Sequence, residues 1–247
     1  TFDGIDEVRE MIGDLVGRLP TDGQPGGPRA SGSAFRMNVE RVFSVKGYGT
    51  VVTGIPLSGA VGVGEKVELL PSGRELPVRT IQTYKIESQQ ARAGACCAIN
   101  VRDVEADQVA RGMTIASPGM FRAGTELVVI LKNVSENPAV PFKQRLEARL
   151  HTGTASVLAS VRLLGAEQLP PAAEGLAHIA LSEPLVVAAG DRFILRTLSP
   201  ADTVGGGTVL SARPQRFRHG ADVAPRLAAA AAAMGRGDGL AAELLAG

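Results

Sequence analysis

From residue 35 to about residue 210, apolar and polar positions alternate in short segments that are separated by turn residues. The segment Phe35–Val45 shows this period of two clearly, and "KGYG", "PSGR" and "RAGA" mark turns further along the chain. Evenly spaced strands without amphipathic helices between them favour antiparallel barrels over a parallel sheet. The pattern predicts a mainly β fold of two consecutive antiparallel β-barrels, residues 34–118 and 119–217, which meet near Ser117–Gly124.

Helical periodicity occurs outside the two predicted barrels. Apolar residues recur at helical spacing from Ile5 to Leu19, and residues 20–33 are rich in Pro, Gly and Ser, which predicts a helix followed by a linker. Ala- and Leu-rich segments at 222–234 and 240–245 predict two more helices. None of these helices can enclose a core alone, so we expect residues 1–19 and 218–247 to belong to further domains.

The composition narrows the possible functions. The 247 residues include 26 Lys and Arg and 25 Asp and Glu, so the chain has no overall positive charge of the kind that indicates nucleic-acid binding. Any contact with RNA would have to be made by a local basic patch. The two cysteines, Cys96 and Cys97, are neighbours that a strand would direct to opposite faces, which fits a reducing cytosol. A signal peptide, a membrane-length apolar run and metal-ligand spacing of histidines are all missing from the sequence. These features predict a soluble, cytoplasmic protein that binds no membrane and no metal.

The glycine pair Gly47 and Gly49 raises the question of a phosphate-binding loop. A dinucleotide fingerprint requires a third glycine before a helix, but Val52 holds that position and β-branched residues follow it. A P-loop requires a Gly-Lys pair, and the sequence has none. The two glycines therefore predict a hairpin turn.

Arg41 interrupts the apolar face of the first predicted strand. Phe35, Met37, Val39, Phe43 and Val45 share one face by the period of two, and Arg41 falls in the same register. A charge on a core face costs several kcal/mol, on the order of magnitude, unless it is paired or exposed. Either a bulge near Glu40–Arg41 turns the side chain to water, or the arginine faces a pocket for an anionic ligand.

Two further basic clusters allow contact with an RNA backbone or simple solvation. Lys143, Arg145 and Arg149 alternate along one predicted strand, which would place them on one face. Arg213, Arg216 and Arg218 form a denser cluster near the end of the second predicted barrel. The pattern leaves both interpretations open for each cluster.

The chain resembles a known family at these same stretches. "FRMNVERVFSVKGYGTVVTGIPLSG", starting at Phe35, is similar to the second domain of translational GTPases such as elongation factor Tu. "SPADTVGGGTVL", Ser199 to Leu210, is similar to the closing strand of the third domain of the selenocysteine-specific elongation factors (SelB). The resemblance extends from residue 1 to about residue 220, and it identifies the chain as a member of that family.

The resemblance implies different roles for different parts of the chain. Residues 1–19 would be the last helix of a GTPase domain that is otherwise missing from this chain. GTP and Mg²⁺ would bind to that missing domain. This fragment would therefore hold no cofactor and would not be an enzyme. Residues 218–247 would begin the winged-helix region that contacts a hairpin in selenoprotein mRNA. The barrels would hold the aminoacyl end and acceptor arm of selenocysteinyl-tRNA for delivery to the ribosome at recoded UGA codons, and the protein would be a monomer.

The resemblance also implies an aminoacyl site. In the family, an acidic residue and an Arg at the positions of Glu40 and Arg41 help form the selenocysteinyl pocket. A second family Arg corresponds to Cys96 here, so this chain lacks one cation of the pocket unless Arg92 or Arg102 supplies it from a different angle. Two rivals remain open, namely another translational GTPase of the same barrel order and a reductase-type barrel domain.

Overall fold

The computed structural model describes residues 4–18, 33–134 and 142–212. One helix, α1, spans Ile5–Gly17, and its apolar side chains are exposed. The predicted C-terminal helices lie outside the described residues, as do Arg213, Arg216 and Arg218. The division into domains at the predicted boundaries stays a prediction.

The first group of strands forms a nine-stranded antiparallel sheet with a small two-stranded ribbon and one turn of 3-10 helix at Ala106–Gln108. Its strands are β1 (Arg36–Asn38), β2 (Arg41–Val45), β3 (Gly49–Gly54), β4 (Pro56–Ser58), β5 (Ala60–Gly62), β6 (Lys66–Leu70), β7 (Arg74–Thr83), β8 (Ile86–Ser88), β9 (Gln90–Arg92), β10 (Cys97–Val101) and β11 (Thr114–Ala116). The order in the large sheet is β2-β3-β10-β7-β6-β11-β1-β4, with β8 on β7 and with β5 and β9 forming the ribbon.

This sheet curls round into the first barrel. Strands β1 and β2 lie near opposite ends of the strand order, yet only Val39 and Glu40 join them along the chain. Such a short link brings the two ends of the sheet together around one core of Val, Leu, Ile, Phe and Met side chains.

The second group of strands forms a closed six-stranded antiparallel barrel, in the order β12-β17-β15-β14-β18-β19. Its strands are β12 (Gly124–Asn133), β14 (Arg145–Thr152), β15 (Ala155–Leu164), β17 (Glu174–Leu185), β18 (Arg192–Arg196) and β19 (Thr203–Ser211), and a short ribbon pairs β13 (Phe142–Lys143) with β16 (Gln168–Leu169). Inward side chains alternate with outward ones along β15, as the period of two requires. Two consecutive antiparallel barrels confirm the predicted fold class.

Three glycines in a row allow β19 to close the second barrel. A Cβ on Gly207 would lie 1.8 Å from the carbonyl oxygen of Ile130, and one on Gly206 would lie 2.9 Å from that of Phe193. The neighbouring strands β12 and β18 therefore approach the backbone of β19 more closely than any larger residue permits.

The two barrels meet through a buried ion pair and a small apolar cluster. Arg36 in β1 forms two hydrogen bonds with the carboxylate of Asp191, which precedes β18, at 2.5 and 2.6 Å. Leu70 and Ala116 of the first barrel pack with Val186 of the second. These contacts fix one barrel against the other.

Candidate functional site

The predicted site at Glu40 and Arg41 lies at the corner where the chain passes from β1 to β2. The Val39 amide donates to the Met113 carbonyl at 2.8 Å, as part of the pairing around β1 and β11, whereas the Glu40 amide donates to the Thr53 carbonyl at 2.8 Å on β3. The backbone thus changes hydrogen-bonding partners within one residue. This corner shifts the inward and outward alternation by one position.

The shift corrects the predicted core face of the first strand. Phe35, Met37 and Val39 are buried as predicted, but Phe43 and Val45 are exposed by 44% and 36%. Val42 packs against the core in their place. The prediction that Phe43 and Val45 share the core face was wrong, because a strict period of two holds only within one uninterrupted strand.

Arg41 is exposed on the outer side of the first barrel. It pairs across the sheet with Thr53 on β3, and Thr53 pairs with Ala98 on β10. Side chains of directly paired residues lie on the same face, so Arg41, Thr53 and Ala98 form one outward-facing row. Within the described part of the chain, no carboxylate forms an ion pair with the Arg41 guanidinium.

Glu40 is half-buried beside this row, and its peptide is hydrogen-bonded on both sides. Besides the amide bond to Thr53, its carbonyl accepts a hydrogen bond of 3.4 Å from Nη1 of Arg111. The Arg41 carbonyl in turn accepts from Oγ1 of Thr53 at 3.4 Å. The backbone that carries the two predicted site residues is therefore held at several points.

Cys96 is exposed and immediately precedes β10, two residues before Ala98 of the row that contains Arg41. With strands about 4.8 Å apart and a rise of about 3.3 Å per residue, the Cα atoms of Arg41 and Cys96 are roughly 12 Å apart. Cys97 is buried in the core, which confirms that the two cysteines point to opposite faces. Burial raises the pKa of the Cys97 thiol, although hydrogen bonds from Thr83 and at Arg92 oppose this change.

Basic side chains gather on the outer face of the second barrel. Arg145 and Arg149 are exposed on β14, as the sequence pattern predicts. Arg145 lies directly opposite Arg162 on β15, and Arg149 lies directly opposite Arg196 on β18. These four arginines place positive charge on one face across three neighbouring strands.

The sequence pattern did not predict that Arg162 and Arg196 belong to this basic face, because strand pairing brings them beside β14 from distant positions in the chain. Exposed Glu147 lies on the same face and offsets part of the positive charge. Lys143 belongs to the separate strand β13, so the predicted alternating run is interrupted before Arg145. Burial, followed by the charges of Arg196 and Arg149, lowers the pKa of His151 on this face.

A cleft of about 580 Å³ lies at the hairpin end of β2 and β3, whereas the Glu40–Arg41 corner lies at the other end of β2. It is lined by Tyr48 and by the side chains of Arg74, Arg79 and Arg102. The Arg79 guanidinium lies 5.8 Å from the centre of the Tyr48 ring, a cation–π contact. The sequence predicted only the turn at this cleft, because strand pairing is what brings Arg74 and Arg79 of β7 beside Arg102, which follows β10.

Gly47 and Gly49 form the hairpin turn between β2 and β3, as predicted. Both have positive φ, +81° and +93°, and Val45 pairs directly with Gly49. A strand follows the turn, so the loop does not lead into a helix as a phosphate-binding loop does. The loop does not have the geometry of a nucleotide phosphate site.

The described ranges contain no group of three or more His, Cys, Asp or Glu that could hold a metal ion. Among the same residues, no helix has the length and apolar character needed to cross a membrane.

Comparison with protein families identifies both barrels. Residues 130–216 match the model of the selenocysteine-specific elongation factor β-barrel domain, and residues 49–116 match that of elongation factor Tu domain 2. Among curated proteins, the selenocysteine-specific elongation factor of Desulfomicrobium baculatum is 34% identical over 215 residues, covering 87% of this chain and 33% of the relative. That of Escherichia coli (strain K12) is 30% identical over 214 residues, covering 86% of this chain and 31% of the relative. The chain thus spans about a third of the length of these relatives.

Solved structures share the fold. The apo form of translation elongation factor SelB from Methanococcus maripaludis superposes with a TM-score of 0.71 at 24% identity, covering 85% of this chain and 48% of the other. A bacterial selenocysteine-specific elongation factor, EF-Sec, superposes with a TM-score of 0.72 at 22% identity, covering 94% of this chain and 35% of the other.

Proposed function

We propose, from the premise that this chain belongs to the selenocysteine-specific elongation factor family, that its barrels bind selenocysteinyl-tRNA for delivery to the ribosome. The match of the second barrel to the selenocysteine-specific model favours this family over other translational GTPases and over a reductase-type barrel. The first barrel would hold the aminoacyl end, and the second would hold the acceptor arm.

The observation that carries the proposal is the exposed guanidinium of Arg41 beside Glu40, on an apolar face of the first barrel. A selenol is largely ionised at neutral pH, whereas the hydroxyl of serine is neutral. A fixed cation therefore favours the selenocysteinyl group over the seryl group, and arginine keeps its charge when water is partly removed. A unit anion about 4 Å from a cation gains about 1 kcal/mol in water and more in a drier site, which is about fivefold or more in affinity.

The basic face of the second barrel would contact the RNA backbone. Arg145 and Arg149 are exposed, and Arg162 and Arg196 lie opposite them, so a phosphate backbone crossing this face would meet several guanidinium groups. Contacts of this type act on the tRNA irrespective of its amino acid. We propose the same role for Lys143 and for Arg213, Arg216 and Arg218.

The glycine turn of this chain does not fit the phosphates of GTP. The glycine turn at Gly47–Gly49 leads into a strand, and the sequence contains no Gly-Lys pair. We propose that GTP and Mg²⁺ bind a separate domain of the complete factor, in agreement with the GTPase character of the family. This domain would control release of the tRNA on the ribosome, a further domain would bind the mRNA hairpin, and the factor would act as a monomer in the cytoplasm.

The test compares the binding of selenocysteinyl and seryl forms of one tRNA to the complete factor in the presence of GTP. We expect Arg41→Ala to lower the ratio of the two affinities about fivefold or more, by weakening only the selenocysteinyl complex. Arg102→Ala is the matched control, since Arg102 is also exposed but lies on the cleft at the other end of the barrel. An unchanged ratio in Arg41→Ala would remove this site from the proposal.

Substitution of Cys96 tests the same site in the opposite direction, by adding a positive charge. An arginine at this position would add a second cation to the outer face that carries Arg41, about 12 Å away between Cα atoms. We expect Cys96→Arg to raise the same affinity ratio, whereas Cys96→Gln, of comparable length but neutral, leaves it unchanged. Equal effects of both variants would show that charge at this position is irrelevant.

A further inference from the structure

The carbonyl of Val39, at the corner between β1 and β2, is held from both barrels. It accepts a hydrogen bond from the Gly112 amide of the first barrel at 3.1 Å and from Oγ1 of Thr154 in the second barrel at 2.7 Å. Both lone pairs of this oxygen are therefore used. Val39 is fully buried, so water does not readily replace a bond that is lost.

The hairpin that carries Thr154 packs closely against the corner. Gly153, beside Thr154 in the turn between β14 and β15, has a φ of +53°, and a Cβ there would lie 2.0 Å from Nδ2 of Asn38. On the other side, a Cβ on Gly112 would lie 3.2 Å from the Cα of Ala155. The hairpin tip thus touches the residues before the corner and the strand end that supports it.

This contact bears on the direction of Arg41, which is two residues after Val39. The amide of Glu40 begins the pairing with β3, and the change of sheet between Val39 and Glu40 determines which face Arg41 occupies. Since successive residues of a strand point to opposite faces, a slip of one residue at the corner would turn Arg41 away from the outer face. The corner is held against such a slip by an atom of the other barrel.

We propose that Thr154 is a positioning residue for the aminoacyl site, through which the second barrel sets the orientation of Arg41 in the first. This inference rests on the proposed function of Arg41. It makes recognition of the amino acid dependent on the docking of the two barrels, so that the barrel bearing the RNA-binding face also orders the aminoacyl site.

The test uses Thr154→Val, which keeps the shape of the side chain and removes its hydroxyl, in the complete factor with GTP. We expect the affinity ratio between selenocysteinyl and seryl forms of one tRNA to fall about two- to threefold, less than the loss of a whole hydrogen bond because the Gly112 amide still holds the carbonyl. Thr154→Ser keeps the hydroxyl and is expected to retain the ratio. Hydrogen exchange at the Glu40 amide is expected to accelerate in Thr154→Val alone.

The matched control is Thr152→Val on the same hairpin. The Thr152 hydroxyl donates to the Arg192 carbonyl at 2.9 Å, a bond that lies wholly within the second barrel. Its loss is expected to lower the melting temperature and to leave the ratio unchanged. If Thr154→Val lowers the melting temperature without changing the ratio or the Glu40 exchange rate, Thr154 is only structural and the inference is overturned.

Comparison with Arg41→Ala distinguishes failure of the positioning role of Thr154 from failure of the proposed aminoacyl site. If Arg41→Ala lowers the ratio and Thr154→Val does not, the proposed function stands and the positioning role fails. If neither variant changes the ratio, the aminoacyl site itself is refuted and the positioning role with it. Should Thr154→Val fail to fold, Thr154→Ala gives the same test with a smaller side chain.

Discussion

The ion pair between Arg36 and Asp191 gives the sharpest prediction about how the two barrels are joined. The side chain of Arg36 is 1% exposed and that of Asp191 is 15% exposed. The guanidinium also lies 5.5 Å from the centre of the Phe121 ring, and Oδ2 of Asp191 accepts a second hydrogen bond from the Ala188 amide at 2.8 Å. Both charges therefore depend on each other and on a few polar neighbours.

The perturbation is Asp191→Asn, which keeps the shape of the side chain and removes its charge. Removing one partner of a buried pair costs about 3–5 kcal/mol in the free energy of unfolding, because the other charge remains buried without compensation. We expect about 3 kcal/mol, the lower end, since the asparagine oxygen can still accept one hydrogen bond from Arg36. Arg36→Met is expected to cost about 2 kcal/mol, as the remaining carboxylate is partly exposed and keeps the Ala188 bond.

The double variant Arg36→Met/Asp191→Asn distinguishes mutual dependence from two independent losses. With neither charge present, its cost is expected to be about 2 kcal/mol instead of the sum of about 5 kcal/mol, a coupling of about 3 kcal/mol. Urea unfolding followed by circular dichroism measures these free energies. The cost of Asp191→Asn is expected to change little in 1 M salt, because a buried pair is poorly screened.

The control is the exposed pair of Lys66 and Glu75, which has a similar distance of 2.9 Å but side chains that are 61% and 52% exposed. Glu75→Gln is expected to cost less than about 0.5 kcal/mol. A coupling between Arg36 and Asp191 below about 0.5 kcal/mol would refute the reasoning, since it would mean that the two barrels dock without depending on this pair.

Two further predictions concern the outer face of the second barrel. Arg149→Gln is expected to weaken selenocysteinyl- and seryl-tRNA equally and to reduce the slope of log affinity against log salt by about 0.7–0.9, the contribution of one phosphate contact; an unchanged slope would exclude that contact. Burial and the charges of Arg196 and Arg149 lower the pKa of His151, so the unfolded chain binds a proton more tightly than the folded one. The stabilisation is therefore present above the ordinary pKa of about 6.5 and is lost as the pH falls below it. His151→Gln should make the unfolding free energy less dependent on pH between 7.5 and 5.5, and curves of equal slope for both proteins would contradict this.

Local patterns in the sequence were sufficient for those features that depend on neighbours along the chain. The turn at Gly47 and Gly49 was predictable because only glycine adopts positive φ at little cost, and both angles are positive. The opposite environments of Cys96 and Cys97 were predictable because adjacent strand residues point to opposite faces. The helix at Ile5–Gly17 followed from its apolar spacing.

The same reasoning failed at the core face of the first strand and missed half of the basic face. Phe43 and Val45 are exposed because the chain changes sheets at Val39–Glu40. Arg41 was the local sign of that change, but the alternation alone did not distinguish a bulge from a pocket. Arg162 and Arg196 join Arg145 and Arg149 only through the pairing of β14 with β15 and β18.

The sequence by itself determined the class of fold, the turns and the anomaly at Arg41, since periodicity and the restricted backbone angles of particular residues act over a few positions. Only the tertiary structure decided that Arg41 faces outward, that Thr154 holds the corner beside it and that Arg36 is buried against Asp191. These outcomes depend on contacts between residues as many as 155 positions apart, and no local pattern specifies which distant strand will supply the partner.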